Sequence, residues 1–376
     1  MEANLQPITP NGRRSVLLAL LTLAVVASVV AVLIRIGGSG AELTAYSHRP
    51  DGIMSTQCNL TAIARVDQKE IARKALHEAE VALRDVESRM SVYIERTELY
   101  NFNAAAAGVK CPLSPPTMEV LQASRQVYKD SGGAFDITVF PLIKLWKQAG
   151  KDNRLPVEQE IADARKASTW DQVELLDSAA VKRGDKVSVD LGGIAKGYAA
   201  DRAATVMMAL NVRGGVVDVG GNIRCFGATP GGGPWPVDIQ DPFHVSDAQI
   251  IATLSLNDAG VCTSAHYNRY TVINGKAYTH IIDPNTGYAT AAVASVTVVA
   301  RTAMMADAWS TALSVLGPAG LDRVGGETGI EAMMITGAAA NWKVHMTPAF
   351  EKLLSVPPRP PVANRRPAST TKPRTH

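Results

Sequence analysis

The chain has 376 residues, of which 46% are hydrophobic, so it is long enough to bury one large core or two smaller ones. Its formal net charge of +3 is unevenly distributed, because the last twenty residues carry five Lys or Arg residues and no acid. The remainder of the chain is close to neutral, which argues against a general nucleic-acid-binding protein.

The N-terminal region has the features of a membrane or export segment. An uncharged run from Val16 to Ile34 follows Arg13 and Arg14 and is long enough to cross a bilayer. Arginines on that side predict a cytoplasmic N-terminus and a chain that continues across the membrane. The length of the run favours an uncleaved anchor over a cleaved signal. The predicted location is the bacterial inner membrane facing the periplasm, or the periplasm itself if the leader is cleaved.

The body of the chain changes from helical to strand-rich patterns at about Val173. Beyond that point, Asn274-Gly275 between alternating apolar and polar residues predicts a β-hairpin. The mixture lacks a regular βαβ alternation and predicts an α+β fold. The predicted helices are Asp67–Arg89, Thr117–Ser131, about Val157–Ser168, Ala303–Leu316 and about Ala349–Leu354, and the predicted strands include Lys186–Leu191 and Ile330–Thr336.

The C-terminal residues are rich in proline and lack apolar periodicity, which predicts a disordered basic tail. The predicted organisation is a cytoplasmic N-terminus (1–14), a transmembrane anchor or signal segment (15–36), a linker (37–52), one folded domain (53–355) and the tail (356–376).

Four cysteines are spread widely along the chain and form no CxxC pair, so a zinc knuckle or a thioredoxin-type redox pair has no support. Disulfides in an oxidising compartment and buried free thiols both stay open. The cysteines are Cys58, Cys111, Cys225 and Cys262.

The stretch "VDLGGIAKGYAADRA", Val189–Ala203, passes from a strand-like run through Gly192-Gly193 into a helical pattern. The exposed N–H groups at a helix N-terminus suit a phosphate. The spacing fits neither the dinucleotide fingerprint nor the P-loop, and a plain backbone turn is the alternative. Asp190 and Lys196 place an anion and a cation at the mouth of this turn.

A second group lies in "MMADAWSTALSVLG", where Asp307, Ser310 and Thr311 share one face of a predicted helix. Carboxylate and hydroxyl oxygens suit a hard cation such as Mg²⁺. The alternative is that Asp307 compensates the helix dipole in the first turn while the hydroxyls bond back to the helix.

A third group is "YTHIIDPNTG", in which His280 precedes a turn signalled by Asp283-Pro284. A histidine there is either a half-buried strand residue or a general base, since imidazole titrates near neutral pH.

Taken together, these motifs resemble the ApbE family, the FAD:protein FMN transferases, from about Ile53 to Leu354. The matching stretches include "TELYNFN", "GGAFDITVFPL", "VDLGGIAKGYAAD", "GGN", "THIIDPNTG" and "ADAWSTALSVLG". The resemblance implies a two-lobed, T-fold-like α+β domain with FAD between the lobes. One departure is Ser55, where the family usually has the glycine of Met-Gly-Thr, and a serine there can alter the backbone path near the flavin.

The resemblance also implies the residues of the site. Mg²⁺ is expected to bind Asp307, Thr311 and the carbonyl of Gly193, and Ser310 occupies a position where some relatives supply a ligand. FAD is expected to contact Met54, Tyr93, Ala134, Phe135, Asp136, Asp190, Lys196 and the backbone near Ile281.

The reaction implied is Mg-dependent transfer of FMN from FAD to a Thr or Ser hydroxyl of an exported or membrane-bound flavoprotein, with release of AMP. His280 is expected to accept the hydroxyl proton and Lys196 to supply a further positive charge. Relatives of this type that serve nitrous oxide reduction have a similar exported layout. The alternatives are an Mg-dependent FAD pyrophosphatase and a non-catalytic FAD-binding assembly factor for a membrane reductase, the last disfavoured by the complete set of polar site residues.

Overall fold

The structure is a computed structural model that describes residues 42–244, 249–265, 270–290 and 293–358. The predicted membrane segment and residues 359–376 of the predicted tail lie outside these ranges. Within them, no helix combines the length and the apolar character needed to cross a membrane.

The described residues form a mixed α and β structure. The helices are α1 (Lys69–Met90), α2 (Glu98–Ala104), α3 (Pro115–Asp130), α4 (Phe140–Lys151), α5 (Glu158–Lys166), α6 (Ala195–Ala209), α7 (Ala303–Leu316) and α8 (Pro348–Glu351). The strands are β1 (Leu43–His48), β2 (Cys58–Arg65), β3 (Lys110–Pro112), β4 (Val173–Leu175), β5 (Ala179–Lys182), β6 (Gly214–Val219), β7 (Asn222–Gly227), β8 (Trp235–Gln240), β9 (Ile250–Leu256), β10 (Ala259–Ala265), β11 (Tyr270–Ile273), β12 (Lys276–Thr279), β13 (Val293–Ala300), β14 (Glu331–Thr336), β15 (Lys343–Met346) and β16 (Leu354–Val356).

An eight-stranded antiparallel sheet, in the order β1-β2-β6-β7-β10-β13-β14-β15, forms the centre of the molecule. Its strands alternate between two cores: Cys262 and Val298 pack on the helical side, while Val261 and Val299 pack on the other. A slip of one residue would exchange the two faces, and burying each valine is worth about 1.5–3 kcal/mol. The alternation therefore fixes the register.

Helices α1, α6 and α7 cover one face of this sheet, and the smaller sheet β16-β9-β8 covers the other. Helix α6 carries a run of buried alanines, which lets it approach α7 closely. At the crossing, a Cβ on Gly197 would stand 2.1 Å from the carbonyl oxygen of Ala303. Glycine is required there because the backbones are nearly in contact.

A smaller apolar cluster joins α4, α5 and the β11–β12 hairpin, with Trp146 at its centre. The predicted hairpin is confirmed: β11 and β12 pair around Asn274 and Gly275, whose φ angles are +50° and +76°. Positive φ at both central residues is the type I′ requirement that Asn-Gly satisfies.

Two predictions about secondary structure are wrong. Residues 43–48 of the predicted linker form β1, an edge strand paired with β2 and too polar to be recognised by alternation. In the predicted strand Lys186–Leu191, Lys186 lies in a turn and the following residues join no sheet. The Asn103 side chain instead hydrogen-bonds both the N–H and the carbonyl of Val189. The predicted end of the folded domain, residue 355, also falls inside β16.

Candidate active site

A cavity of about 810 Å³ is lined by residues of the central sheet, of the helices that cover it and of the region around α4 and the β11–β12 hairpin. Its volume falls within the range of small-molecule and cofactor sites. Most of the residues that sequence reasoning selected line it: Tyr93, Ala134, Phe135, Asp136, Asp190, Gly193, Lys196, His280, Ile281, Asp307 and Thr311.

One end of the cavity is formed where the start of α6 meets α7, and we call Gly193, Lys196, Asp307 and Thr311 the α6–α7 corner. The Lys196 Nζ donates to the carbonyl of Gly192 at 2.5 Å and lies 3.5 Å from Asp307 Oδ2. A Cβ on Gly193 would stand 2.9 Å from Thr311 Oγ1, so the glycine backbone lies directly against that hydroxyl. The corner thus brings together one cation, one carboxylate, one hydroxyl and a glycine turn.

Asp307 is the fifth residue of α7 and its side chain is 3% exposed, so it is not a surface acid compensating the helix dipole. Its Oδ2 accepts a hydrogen bond from the N–H of Gly197 at 3.1 Å. Burial raises the pKa of Asp307, while Lys196 and that N–H oppose the shift. A further positive charge nearby would favour the ionised form of this buried carboxylate.

The α6–α7 corner offers oxygen donors of the kind that Mg²⁺ binds. Among the described residues, no three His, Cys, Asp or Glu side chains are grouped as a metal site. The corner instead offers the Asp307 carboxylate, the Thr311 hydroxyl and the adjoining turn. Mg²⁺ is commonly held by one or two carboxylates, with waters and substrate phosphates completing the shell, so these residues fit it.

Ser310, the further candidate ligand, is turned away from the cavity. Its hydroxyl bonds the carbonyl of Asp307 at 2.9 Å and contacts Ser264 Oγ at 2.7 Å and Cys262 Sγ at 3.2 Å. These contacts place Ser310 behind Asp307 as part of its support. All four cysteines lie within the described residues and are free thiols.

The turn before β2 has a strained backbone. Met54 and Ser55 have φ angles of +49° and +51°, a region that favours glycine. The N–H of Met54 donates to Glu87 Oε1 at 2.6 Å, which holds the turn against α1. Ser55 and Thr56 line the cavity, whereas the half-buried Met54 side chain packs against the core instead.

The remaining predicted residues lie on the walls of the cavity. Asp136 Oδ1 accepts from the N–H and the hydroxyl of Thr138, both at 2.7 Å, and burial raises the pKa of Asp136 to about 6. Tyr93 is exposed, and the Lys147 Nζ lies 4.4 Å from its ring centroid. His280 follows the end of β12 and is exposed, rather than half-buried within a strand.

Asp201 is a supporting residue that sequence reasoning did not single out. Its two carboxylate oxygens accept from the N–H groups of Ala303 and Met304 at 2.9 and 2.8 Å, so a residue of α6 caps α7. Arg224 lies 3.4 Å away, and burial raises the pKa of Asp201 to about 6. Asp201 stands in the "AADRA" run, but the helix that it caps begins 102 residues later.

Comparison with known proteins identifies the family of this chain. A sequence profile described as the ApbE family matches residues 54–334. The chain belongs to the ApbE family. The α+β ApbE-like fold predicted from the motifs is thereby confirmed.

Several similar proteins are named for flavin transfer. The FAD:protein FMN transferase of Klebsiella pneumoniae strain 342 is 33% identical over 310 residues, covering 80% of this chain and 87% of that protein. The ApbE protein of Thermotoga maritima superposes with a TM-score of 0.75 at 28% identity, covering 82% of this chain and 99% of its own. The flavin transferase of Vibrio cholerae superposes with a TM-score of 0.71 at 26% sequence identity, covering 83% of this chain and 100% of that chain. The chain is therefore an enzyme of the flavin transferase class, with FAD as its substrate.

Proposed function

We propose that this enzyme transfers the FMN half of FAD to a Thr or Ser hydroxyl of an exported flavoprotein and releases AMP. The observation that carries this proposal is the convergence of Gly193, Lys196, Asp307 and Thr311 on one cavity that His280 also lines. An anionic pyrophosphate fits a corner that combines a lysine, a glycine turn and an oxygen donor set.

In the transfer, the acceptor oxygen forms a bond to the FMN-side phosphorus, and the bond from that phosphorus to the bridging oxygen breaks. AMP leaves with the bridging oxygen, and the hydroxyl proton moves to the His280 imidazole. Lys196 holds positive charge beside the phosphates, where negative charge accumulates. Mg²⁺, when held by Asp307, Thr311 and Gly193, would supply additional charge neutralisation.

Phe135, Ala134 and Ile281 are buried or nearly so and line the same cavity. They provide the apolar surface that a flavin ring needs, while Asp136 and Asp190 offer acceptors for its polar edge and ribityl chain. Tyr93 provides an exposed aromatic face at the entrance. These residues bind and orient FAD rather than take part in bond formation.

The test is incubation of the wild-type protein with FAD, Mg²⁺ and a candidate acceptor domain, followed by the acceptor's intact mass and chromatography of nucleotides. We expect an acceptor heavier by one FMN with an equal amount of AMP, and loss of both after addition of EDTA. FMN and AMP free in solution with an unmodified acceptor would instead indicate a pyrophosphatase. FAD recovered uncleaved would indicate a carrier, and transfer that survives EDTA would exclude the metal.

The location belongs to the same proposal. We place the catalytic domain outside the cytoplasm, held by the uncharged run after Arg13-Arg14, so that it meets exported acceptors. Fusing a periplasm-dependent reporter after residue 358 tests this orientation. An active reporter supports this orientation, and a full-length fusion that is present in the cell but inactive contradicts it.

A further inference from the structure

Strand β8 borders the cavity with its edge. Four consecutive residues, Val237, Asp238, Ile239 and Gln240, line the cavity. Since side chains alternate between the faces of a strand, one face alone would contribute only every second residue. The cavity therefore meets β8 along its backbone.

That edge is open among the described strands, because β8 is the last strand of the β16-β9-β8 sheet and pairs with β9 alone. Pro236 lies opposite Ser255 and has no N–H to donate, so it occupies a pair without ladder bonds. Pairs with and without such bonds alternate along an antiparallel ladder. Asp238 and Thr253 therefore also form a pair without ladder hydrogen bonds, and the N–H and carbonyl of Asp238 point away from β9.

From this geometry we propose that the edge of β8 docks an extended segment of the acceptor flavoprotein by adding a short strand beside Asp238. The inference rests on the proposed function, because a transferase must bring a polypeptide hydroxyl to the cavity that holds Asp307 and Thr311. Strand addition supplies affinity from backbone hydrogen bonds without demanding one side-chain sequence. The available groups are the Pro236 carbonyl and both groups of Asp238, which limits pairing to a short segment.

A short pairing suits a substrate that must leave after one turnover. Proline and a charged residue on a sheet edge also block uncontrolled association. Pro236 and the exposed Asp238 limit such association, while the N–H of Asp238 stays available for pairing. The segment would run along the cavity wall, with alternate side chains directed into and out of the cavity.

The test compares Asp238→Pro with Asp238→Ala. Both variants lose the carboxylate and its hydrogen bond from Thr253 Oγ1, which is 2.8 Å long, but only proline removes the outward N–H. The acceptor is a flavoprotein domain that the wild-type enzyme labels with FMN. We expect Asp238→Pro to raise KM for this domain at least about tenfold, with FAD affinity unchanged, and Asp238→Ala to stay within about twofold of wild type. Equal KM values for the two variants would overturn the proposal.

A second measurement avoids dependence on the folding of the proline variant. Hydrogen exchange of the wild-type enzyme is followed with the same acceptor domain after its attachment residue is replaced by alanine. Slower exchange at residues 237–240 supports docking, and unchanged exchange contradicts it. Slower exchange at high enzyme concentration without acceptor would show pairing with a second copy and would also overturn it. If the wild-type enzyme labels no acceptor while cleaving FAD, the proposed transferase function fails, which is a different result from unchanged exchange with a labelled acceptor.

Discussion

The α6–α7 corner and the β8 edge line one cavity but are built in opposite ways. In the corner, the Lys196 and Asp307 side chains are 20% and 3% exposed, and each has a close polar partner on the protein. Along β8, alternate residues are exposed, and among the described strands β8 pairs with β9 alone. Charges that stabilise phosphoryl transfer must be fixed before substrate arrives, whereas a surface that exchanges protein substrates must be open.

The largest effect is expected from Asp307→Ala, which removes the only carboxylate of the corner. Transfer should fall on the order of 10³-fold, because no other carboxylate of the corner can replace it. The measurement is the initial rate of FMN attachment in saturating Mg²⁺, with Asp322→Ala as a control at an exposed acid. A wild-type rate for Asp307→Ala would show that the metal assignment is wrong.

His280→Ala removes the proposed base on the exposed wall of the cavity. It should lower kcat by about 10²-fold, which is a smaller loss than that expected for Asp307→Ala. Positioning and electrostatics dominate phosphoryl transfer, so loss of the base leaves part of the catalysis intact. The measurement is kcat for FMN attachment at saturating FAD and acceptor. A loss as large as that of Asp307→Ala would reverse the expected order.

Asp201→Asn tests the support behind the corner through the pH dependence of stability. The pKa of Asp201 is raised from 3.8 to about 6, so between these values the folded protein binds a proton that the unfolded chain lacks. The free energy of unfolding should therefore decrease as pH rises from about 4 to about 6, by on the order of 3 kcal/mol from this residue, and level off above. Denaturant melts of both proteins across this range should diverge, and parallel curves would contradict the account.

Gly197→Ala tests the close helix crossing. A Cβ there would meet the Ala303 carbonyl at 2.1 Å, so α6 and α7 must separate, at a cost of about 1–3 kcal/mol in the free energy of unfolding. Gly231→Ala is the matched control, because its Cβ would meet nothing closer than 4.0 Å. Similar melting temperatures for the two variants would show that the crossing is not tight.

Ser55→Gly should have the smallest effect and the opposite sign. Its φ of +51° is accessible to glycine without strain, so the substitution should stabilise the protein by about 0.5–1 kcal/mol. Ser47→Gly in the extended strand β1 should destabilise it instead. If both substitutions destabilise, the turn is not strained.

Local patterns predicted the parts of this molecule in which neighbours in sequence determine the structure. An apolar stripe that includes Ala75, Ala79 and Val86 predicted α1, and the Asn-Gly pair predicted the hairpin. The motif around Asp307 predicted a helix that carries Asp307 and Thr311 to the cavity, although Ser310 is turned away from it. Strand β1 was missed because it is an edge strand whose order depends on β2 rather than on its own polar sequence.

The support of the site was harder to find for the same reason. Asp201 caps a helix that begins 102 residues later, and Cys262 reaches Asp307 only because β10 packs under α7. The Asn103 side chain makes the hydrogen bonds to Val189 that a neighbouring strand would otherwise make, so a run with strand composition joins no sheet. Such contacts depend on tertiary packing, and no short-range pattern encodes them.

The most direct test of the central claim is a crystal structure of the protein with FAD and Mn²⁺, whose anomalous signal locates the metal. We expect the metal between the pyrophosphate and the Asp307 and Thr311 oxygens, with the flavin in the cavity that Phe135 and His280 line. A pyrophosphate bound away from the α6–α7 corner would contradict the account.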